Sequence, residues 1–244
     1  MADELRLEPI HVPKSSDVLA QRLRKEILRG ALAPGAPLPP ERELVTQTGL
    51  SRGSVREALR ILEAEGLVST RPGRQGGSIA RQPGDESLAR YIGMFVEGRG
   101  ISLLSLLQAR EAVSPSLAYL AACNRTDEEL GELLRVTEGV EDAFDDVPRY
   151  LAENVKWHCA IAAASHNELL RAFMVAISTL IYRGSAIEDF ASDEVRRVVL
   201  KAHRRIFDAI AAKDADAAQR RMARHLAALT EAVKAFPQAP AVLE

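Results

Sequence analysis

Along this chain apolar residues recur mostly at spacings of three and four, the mark of helices that bury one face. Between Asp17 and Gly30 they fall at Val18, Leu23, Ile27 and Leu28, and Gly30 is placed to stop that helix. The segment LAPGAPLPP follows and is too rich in proline for regular structure. Pro40 then opens a second helix, with Glu41 and Glu43 suited to the positive end of its dipole. Gly49 closes it, Ser51 is a good N-cap for a third helix, and Gly66 ends the third. In that third helix Val55, Ala58, Leu59 and Leu62 mark one face and Arg52, Arg56 and Arg60 the other. Four-residue steps advance about 40° each, so the three arginines span only about 80°.

After Gly66 the period changes. Leu67–Thr70 and Ser78–Arg81 are short β-prone runs joined by a basic turn containing Gly73, Gly76 and Gly77, as in a hairpin. Together these elements predict a winged helix-turn-helix over residues 16–82, preceded by a tail at 1–15 and followed by a linker at 83–87. From 88 to 236 only helical patterns recur, at 86–97, 102–123, 127–145, 148–165, 167–183, 193–213 and 215–235, with Ser102 and Asp127 as expected caps and a tail at 237–244. The expected fold class is mainly α: a winged helix-turn-helix of three helices and a β-hairpin wing, then an all-helical bundle of six or seven helices.

Composition narrows the function. At 47% hydrophobic and 27% charged, the 244 residues suit a globular protein. The net charge of −2 hides an asymmetry. Residues 1–82 hold 13 Lys+Arg against 10 Asp+Glu, whereas the rest hold 19 against 24. A basic front and an acidic back suit a nucleic-acid module joined to a larger domain of another kind. No apolar run approaches the ~18 residues of a membrane span, and MADELRLEPI is too charged for a signal peptide. The expected location is cytoplasmic, associated with the nucleoid, with Cys123 and Cys159 as reduced thiols packed like small hydrophobes. A nucleophilic Cys159–His158 pair is disfavoured, because helix neighbours point about 100° apart.

A third helix entering the major groove by its N-terminus would present Ser51, Arg52, Ser54 and Arg56. A guanidinium can fork onto guanine O6 and N7, and the capped helix end can take a phosphate. Arg42 is placed to grip the backbone or a base edge, and Arg71 and Arg74 of the wing to contact phosphate. The run LRKEILRGALAPGAPLPPERELVTQTGLSRGSVREALRILEAEGLVSTRPG resembles the N-terminal winged helix of the GntR transcription-factor family. That resemblance implies DNA contacts from Arg42, Arg52, Arg56 and Gly73, and a homodimer bound to a short near-palindromic double-stranded operator.

In the second domain three histidines sit in apolar stripes. His158 lies with Leu151, Val155 and Ala162; His203 with Val199, Ile206, Phe207 and Ile210; His225 with Ala218, Met222 and Leu229. His203 is eleven residues before Asp214 and His225 eleven after it, so an antiparallel hairpin turning there puts them level. Asn154 lies one turn before His158 on the same face. Such convergence suits a divalent cation: zinc, nickel or manganese. Arg110 also faces inward, beside Leu106, Val113 and Leu117, and a buried guanidinium needs an anion, either an effector carboxylate or a bundle Glu or Asp. Ser178, Tyr182 and Arg183 could line the same cavity.

LLQAREAVSPSLAYLAACNRTDEEL, ENVKWHCAIAAASHN and KAHRRIFDAIAAKDADAAQRRMARHL resemble the FCD effector domain of the FadR subgroup. Many of its members hold a metal through Asp, His, His and His, with a small carboxylate completing the shell. The resemblance implies that role for Asn154, His158, His203 and His225, with Asn154 departing from the usual aspartate, and a carboxylate clamp for Arg110. The expectation is a ligand-responsive repressor rather than an enzyme, in which the effector changes the placement of two DNA-binding heads. Two rivals stand: a direct metal sensor, for which Arg110 has no use, and a metal-dependent hydrolase, whose nearest general base, Glu153, should turn away.

Overall fold

The computed structural model describes residues 12–71, 77–184 and 192–234, and the chain divides into two compact units, 1–87 and 88–244. Each is described separately.

In the first unit, α1 (Ser15–Leu28) packs on α3 (Arg52–Ala64), with α2 (Glu41–Thr48) leading into α3. Gly49 at φ 69° closes α2, a backbone state that costs glycine little. Leu19, Ala20, Ile27, Leu44, Val55, Leu59 and Leu62 form the core. The apolar face of α1 is therefore rotated from the expected one: Leu19, Ala20 and Ile27 point in, whereas Val18 and Leu28 are exposed. The wing pairs β1 (Val68–Arg71) antiparallel with β2 (Gly77–Ala80), Val68 opposite Ala80 and Arg71 opposite Gly77. The proline-rich segment is more ordered than expected. Leu38 N–H donates to Ser78 O and Ala80 N–H to Ala36 O, both at 2.8 Å, and Pro37 bridges Ile79. Proline is tolerated there because this is a sheet edge.

The rest of the chain is helical: α4 (Asp85–Arg99), α5 (Leu103–Asn124), α6 (Asp127–Asp142), α7 (Val147–Ala164), α8 (Glu168–Gly184), α9 (Asp193–Ala211) and α10 (Ala215–Lys234). α4 opens at Asp85, so the last three residues of the expected linker are helical. Ser102 caps α5 as expected, but α6 is capped by Thr126 rather than Asp127. Thr126 Oγ1 accepts from Glu129 N–H while the Glu129 carboxylate accepts from Thr126 N–H, a reciprocal capping box. α5 packs against α7, α8, α9 and α10, around a core that includes Leu103, Leu117, Leu133, Trp157, Ile161, Met174, Ile206 and Met222. Cys123 is exposed, contrary to the packed thiol expected, and Cys159 is half-buried.

The α9–α10 hairpin turns tightly. Lys213 adopts φ 55°, Asp214 N–H donates back to Ala209 O at 2.9 Å, and Asp214 Oδ1 accepts from Ala217 N–H at 3.0 Å. A left-handed residue ends one helix while its neighbour caps the next, which leaves no slack between them.

Candidate DNA-binding face and metal centre

The N-terminus of α3 is organised by Ser51, whose Oγ accepts from Ser54 N–H at 3.1 Å. Ser54 Oγ in turn lies 3.3 Å from Ser15 Oγ, tying the helix end to α1. At the far end of α3, Arg24 of α1 forks onto the Glu65 carboxylate, Nε at 2.9 Å and Nη2 at 2.5 Å. α3 is thus anchored at both ends.

Arg42, Arg52, Arg56 and Arg60 are exposed. Among the described residues Arg42 and Arg52 have no ion-pair partner. Arg56 is engaged, with Nε donating to Glu41 Oε2 at 2.8 Å, and Arg60 lies 3.8 Å from Glu57. Arg71 is exposed at the end of β1; Gly73 and Arg74 lie outside the described residues. The face therefore offers two unengaged guanidiniums, a third held by a carboxylate, and a capped helix end, a donor set suited to phosphates and base edges.

In the helical unit, His158 from α7, His203 from α9 and His225 from α10 converge, with their nearest ring nitrogens all within 4.8 Å of one another. His203 Nε2 and His225 Nε2 are 3.3 Å apart, so the two histidines equidistant from Asp214 are level. Trp157 organises the cluster. Its ring stacks on His203 with centroids 3.7 Å apart and 6° between planes, and meets His158 edge-on at 4.9 Å. Trp157 is pinned in turn, because Nε1–H donates to Thr137 Oγ1 at 3.0 Å and the Thr137 hydroxyl donates to Leu133 O at 2.6 Å.

Burial holds all three imidazoles neutral. His158 and His203 lie well below the usual 6.5, and His225 is brought down to about 3, first by burial and then by Arg110. A neutral imidazole is the form that ligates metal. The nitrogens also look for a partner: His158 Nε2, His203 Nδ1 and Asn154 Oδ1 are buried without a hydrogen bond. Three neutral nitrogens within a few ångströms suit a divalent ion, and the unpartnered amide oxygen belongs to a residue one turn before His158 on α7.

Arg110 on α5 is 4% exposed, and its Nε has no hydrogen-bond partner. No bundle carboxylate pairs with it among the described residues. Burial lowers its pKa to about 10, leaving it charged at neutral pH. A buried, uncompensated cation beside an uncharged ligand set favours an anion there, more so once a metal adds charge. Ser178 on α8 is also buried with its hydroxyl unpartnered, and Tyr182 is half-buried; the Arg183 side chain lies outside the described residues. Glu153 is drawn to Lys156 at 2.7 Å, away from a general-base role.

The FCD domain family matches residues 105–228, and the family of bacterial regulatory proteins named gntR matches residues 15–75. The chain belongs to the GntR family, with an FCD domain at its C-terminal side. It is 31% identical over 222 residues to the HTH-type transcriptional repressor NanR of Cronobacter sakazakii, covering 89% of this chain and 85% of that protein. It is 29% identical over 240 residues to NanR of Klebsiella aerogenes, covering 97% and 92%. A solved Streptococcus agalactiae GntR structure superposes with TM-score 0.70 at 26% identity, covering 89% of this chain and 99% of that one. The NanR relatives are repressors, not enzymes, and this GntR regulator carries a three-histidine cluster that could hold a metal.

Sequence reasoning missed Trp157, Thr137 and Glu41. The only tryptophan in the chain, directly before His158, was a usable signal for the first. The Thr137 hydrogen bond crosses twenty residues, and the Glu41–Arg56 pair joins two helices across a turn, so neither leaves a local pattern.

Proposed function

We propose that this GntR-family regulator is a repressor that binds a near-palindromic operator as a homodimer and changes its DNA affinity when a small organic acid binds the FCD domain. The observation that carries the effector half is the buried pairing of an unpartnered Arg110 with three neutral histidines. Asn154, His158, His203 and His225 would hold a divalent metal, whether zinc, nickel or manganese. When bound, that ion supplies a Lewis-acidic anchor for a carboxylate. The chain's own residues do the rest: Trp157 fixes the His203 plane, burial keeps the imidazoles unprotonated, and Arg110 faces the anion. Arg110 also argues against a sensor of metal alone, since a site built only for a cation gains nothing from a second positive charge.

For the DNA-binding half, Arg42, Ser51, Arg52, Ser54 and Arg56, with Arg71, Gly73 and Arg74 of the wing, are the proposed contacts. Support comes from the anchored α3, its capped end and the exposed guanidiniums. Tyr91, Met94 and Phe95 of α4, each at least half exposed on one stripe, favour a second copy of the chain as partner. Among the described residues no helix is long and apolar enough to cross a membrane, which fits a regulator acting on DNA in the cytoplasm.

The test is a thermal-shift screen of small mono-, di- and tricarboxylates and sugar acids on metal-loaded and chelator-stripped protein. A ligand at ~100 times its dissociation constant adds about 2.7 kcal/mol. A shift that needs metal, and disappears in Arg110→Ala, is the expected result. A shift with metal alone, together with DNA release and no response to any acid, would replace this reading with the metal sensor.

A further inference from the structure

A groove of about 640 Å³ runs between α9 and α10. Val195, Val198, Val199 and Ala202 of α9 form one wall, at the spacing of a single helix face, and Ala228 and Leu229 of α10 face them. Val198 is 61% exposed, an unusual state for a valine in a concave surface. The charges on the groove are segregated. Because the helices are antiparallel, Arg205 and Arg221 meet towards the Lys213 turn, and the Arg221 guanidinium donates to the Arg205 carbonyl. Arg224 stands on the same face of α10 one turn on. Among the described residues no carboxylate pairs with any of these three guanidiniums. Glu194, the acidic lining residue, is eleven residues up α9 from Arg205, roughly 16 Å away at 1.5 Å per residue.

We propose that this groove is a second anion site, separate from Arg110, which takes an organic acid with an extended apolar body. Its carboxylate lies towards Arg205, Arg221 and Arg224, and its hydrocarbon part runs along Val199, Val198 and Leu229 towards the start of α9. A short acid such as acetate would use the cations and leave the apolar wall wet, so the wall selects for length. A dianion with charges at both ends would put one of them near Glu194, so the site prefers a single anionic head. His225 lines the groove and is partly exposed there, while its Nε2 faces His203. It is the contact through which an occupant of the groove would bear on the histidine centre.

Isothermal titration of the intact chain with phenylacetate, phenylbutyrate and phenylhexanoate tests this, on metal-loaded and on chelator-stripped protein. Affinity should rise with each added methylene, by up to about fourfold per group. Arg224→Glu and Val198→Glu, both at exposed positions that the fold tolerates, should each weaken phenylhexanoate by about tenfold or more. Arg110→Ala should leave that affinity unchanged, and stripping metal should not abolish binding, so failure of the metal reading and failure of this one are separable. Affinity that is flat with chain length overturns the proposal. So does loss of binding in Arg110→Ala with Arg224→Glu unaffected, which would put the acid inside the bundle. If no acid binds and Val198→Glu instead dissociates a dimer, the groove is covered by a second copy and the proposal fails.

Discussion

Trp157 and His203 lie face to face, 3.7 Å between ring centroids and 6° from parallel, the tightest stack in a cluster where His203 meets His225 edge-on and His158 lies nearly parallel to His225 at 5.8 Å. Because Trp157 is the only tryptophan, its emission reports on the histidine centre without interference. Adding nickel to metal-free protein should give a saturable loss of tryptophan fluorescence that a chelator reverses. His203→Ala with His225→Ala should abolish the loss and weaken nickel binding by at least about 100-fold. Quenching that survives the double substitution would place the ion elsewhere.

The Thr137–Trp157 hydrogen bond is buried at both ends. Thr137→Val keeps the shape but leaves the indole N–H unpartnered, which should cost about 1–3 kcal/mol in denaturant unfolding. Trp157→Ala opens a cavity as well and should cost about 3–5 kcal/mol. An unchanged midpoint in Thr137→Val would mean that the indole finds another acceptor.

Asn154→Asp should tighten metal binding by on the order of tenfold, because a carboxylate is a charged donor and an amide oxygen is not. The same change should weaken the acid effector, since the new negative charge sits beside the carboxylate's site. Competition titration with a coloured chelator reads the first effect and thermal shift the second. Equal metal affinity in both proteins would remove residue 154 from the ligand set.

Acid should destabilise the metal-free helical domain well before its carboxylates titrate. The three histidines have folded pKa values below their unfolded value of about 6.5, with His225 at about 3. The unfolded chain therefore binds protons that the folded one refuses. The stability linked to these groups is complete above pH ~6.5 and falls as pH drops from there towards 3. Each fully buried histidine should contribute a loss of roughly 1.4 kcal/mol per pH unit, and the partly exposed His225 less. Melting temperature followed from pH 7.5 to about 5 in chelator checks this; a flat profile would contradict it.

Arg52→Ala and Arg56→Ala should each cost roughly 1–3 kcal/mol of operator binding and relax the preference at one base. Glu41→Ala should behave differently, because it releases Arg56 from its 2.8 Å pair. Binding to unrelated DNA should rise in that variant, so the ratio of specific to non-specific affinity falls. Electrophoretic shifts at fixed salt with operator and scrambled duplex measure both; wild-type discrimination in all three variants would rule out α3 as the reader.

What was legible in the chain was whatever repeats within a few residues. The seven C-terminal helices differ from their sequence-derived bounds by at most three residues at either end, and the wing strands by one. The histidines could be placed together because an equal count from Asp214 is a local fact about a hairpin. Side chains that meet across elements were not legible. The face of α1 is ambiguous in sequence because Val18 and Leu19 are both apolar, and only the packing against α3 decides which one turns in. Thr126 and Asp127 are both good caps by residue type, and the reciprocal bond to Glu129 decides for Thr126. The β-bridge at Pro37 is a long-range pairing to Ile79 that proline content argues against and edge position permits.

The three-residue turn at Ala212–Asp214 is exposed, touches no proposed ligand, and reads as a place where change should be harmless. Its geometry says otherwise. Deleting Lys213 would draw α10 back by one position, about 1.5 Å and 100° of rotation, and swing His225 off the centre. The alternative is unwinding the end of α9, which would break the Ala209 and Ile210 carbonyl contacts that stop the helix. The turn is in effect the length standard of the site. In a deletion scan Lys213 should score with the histidines themselves, so a residue's sensitivity here follows its place along the chain more closely than its depth in the fold.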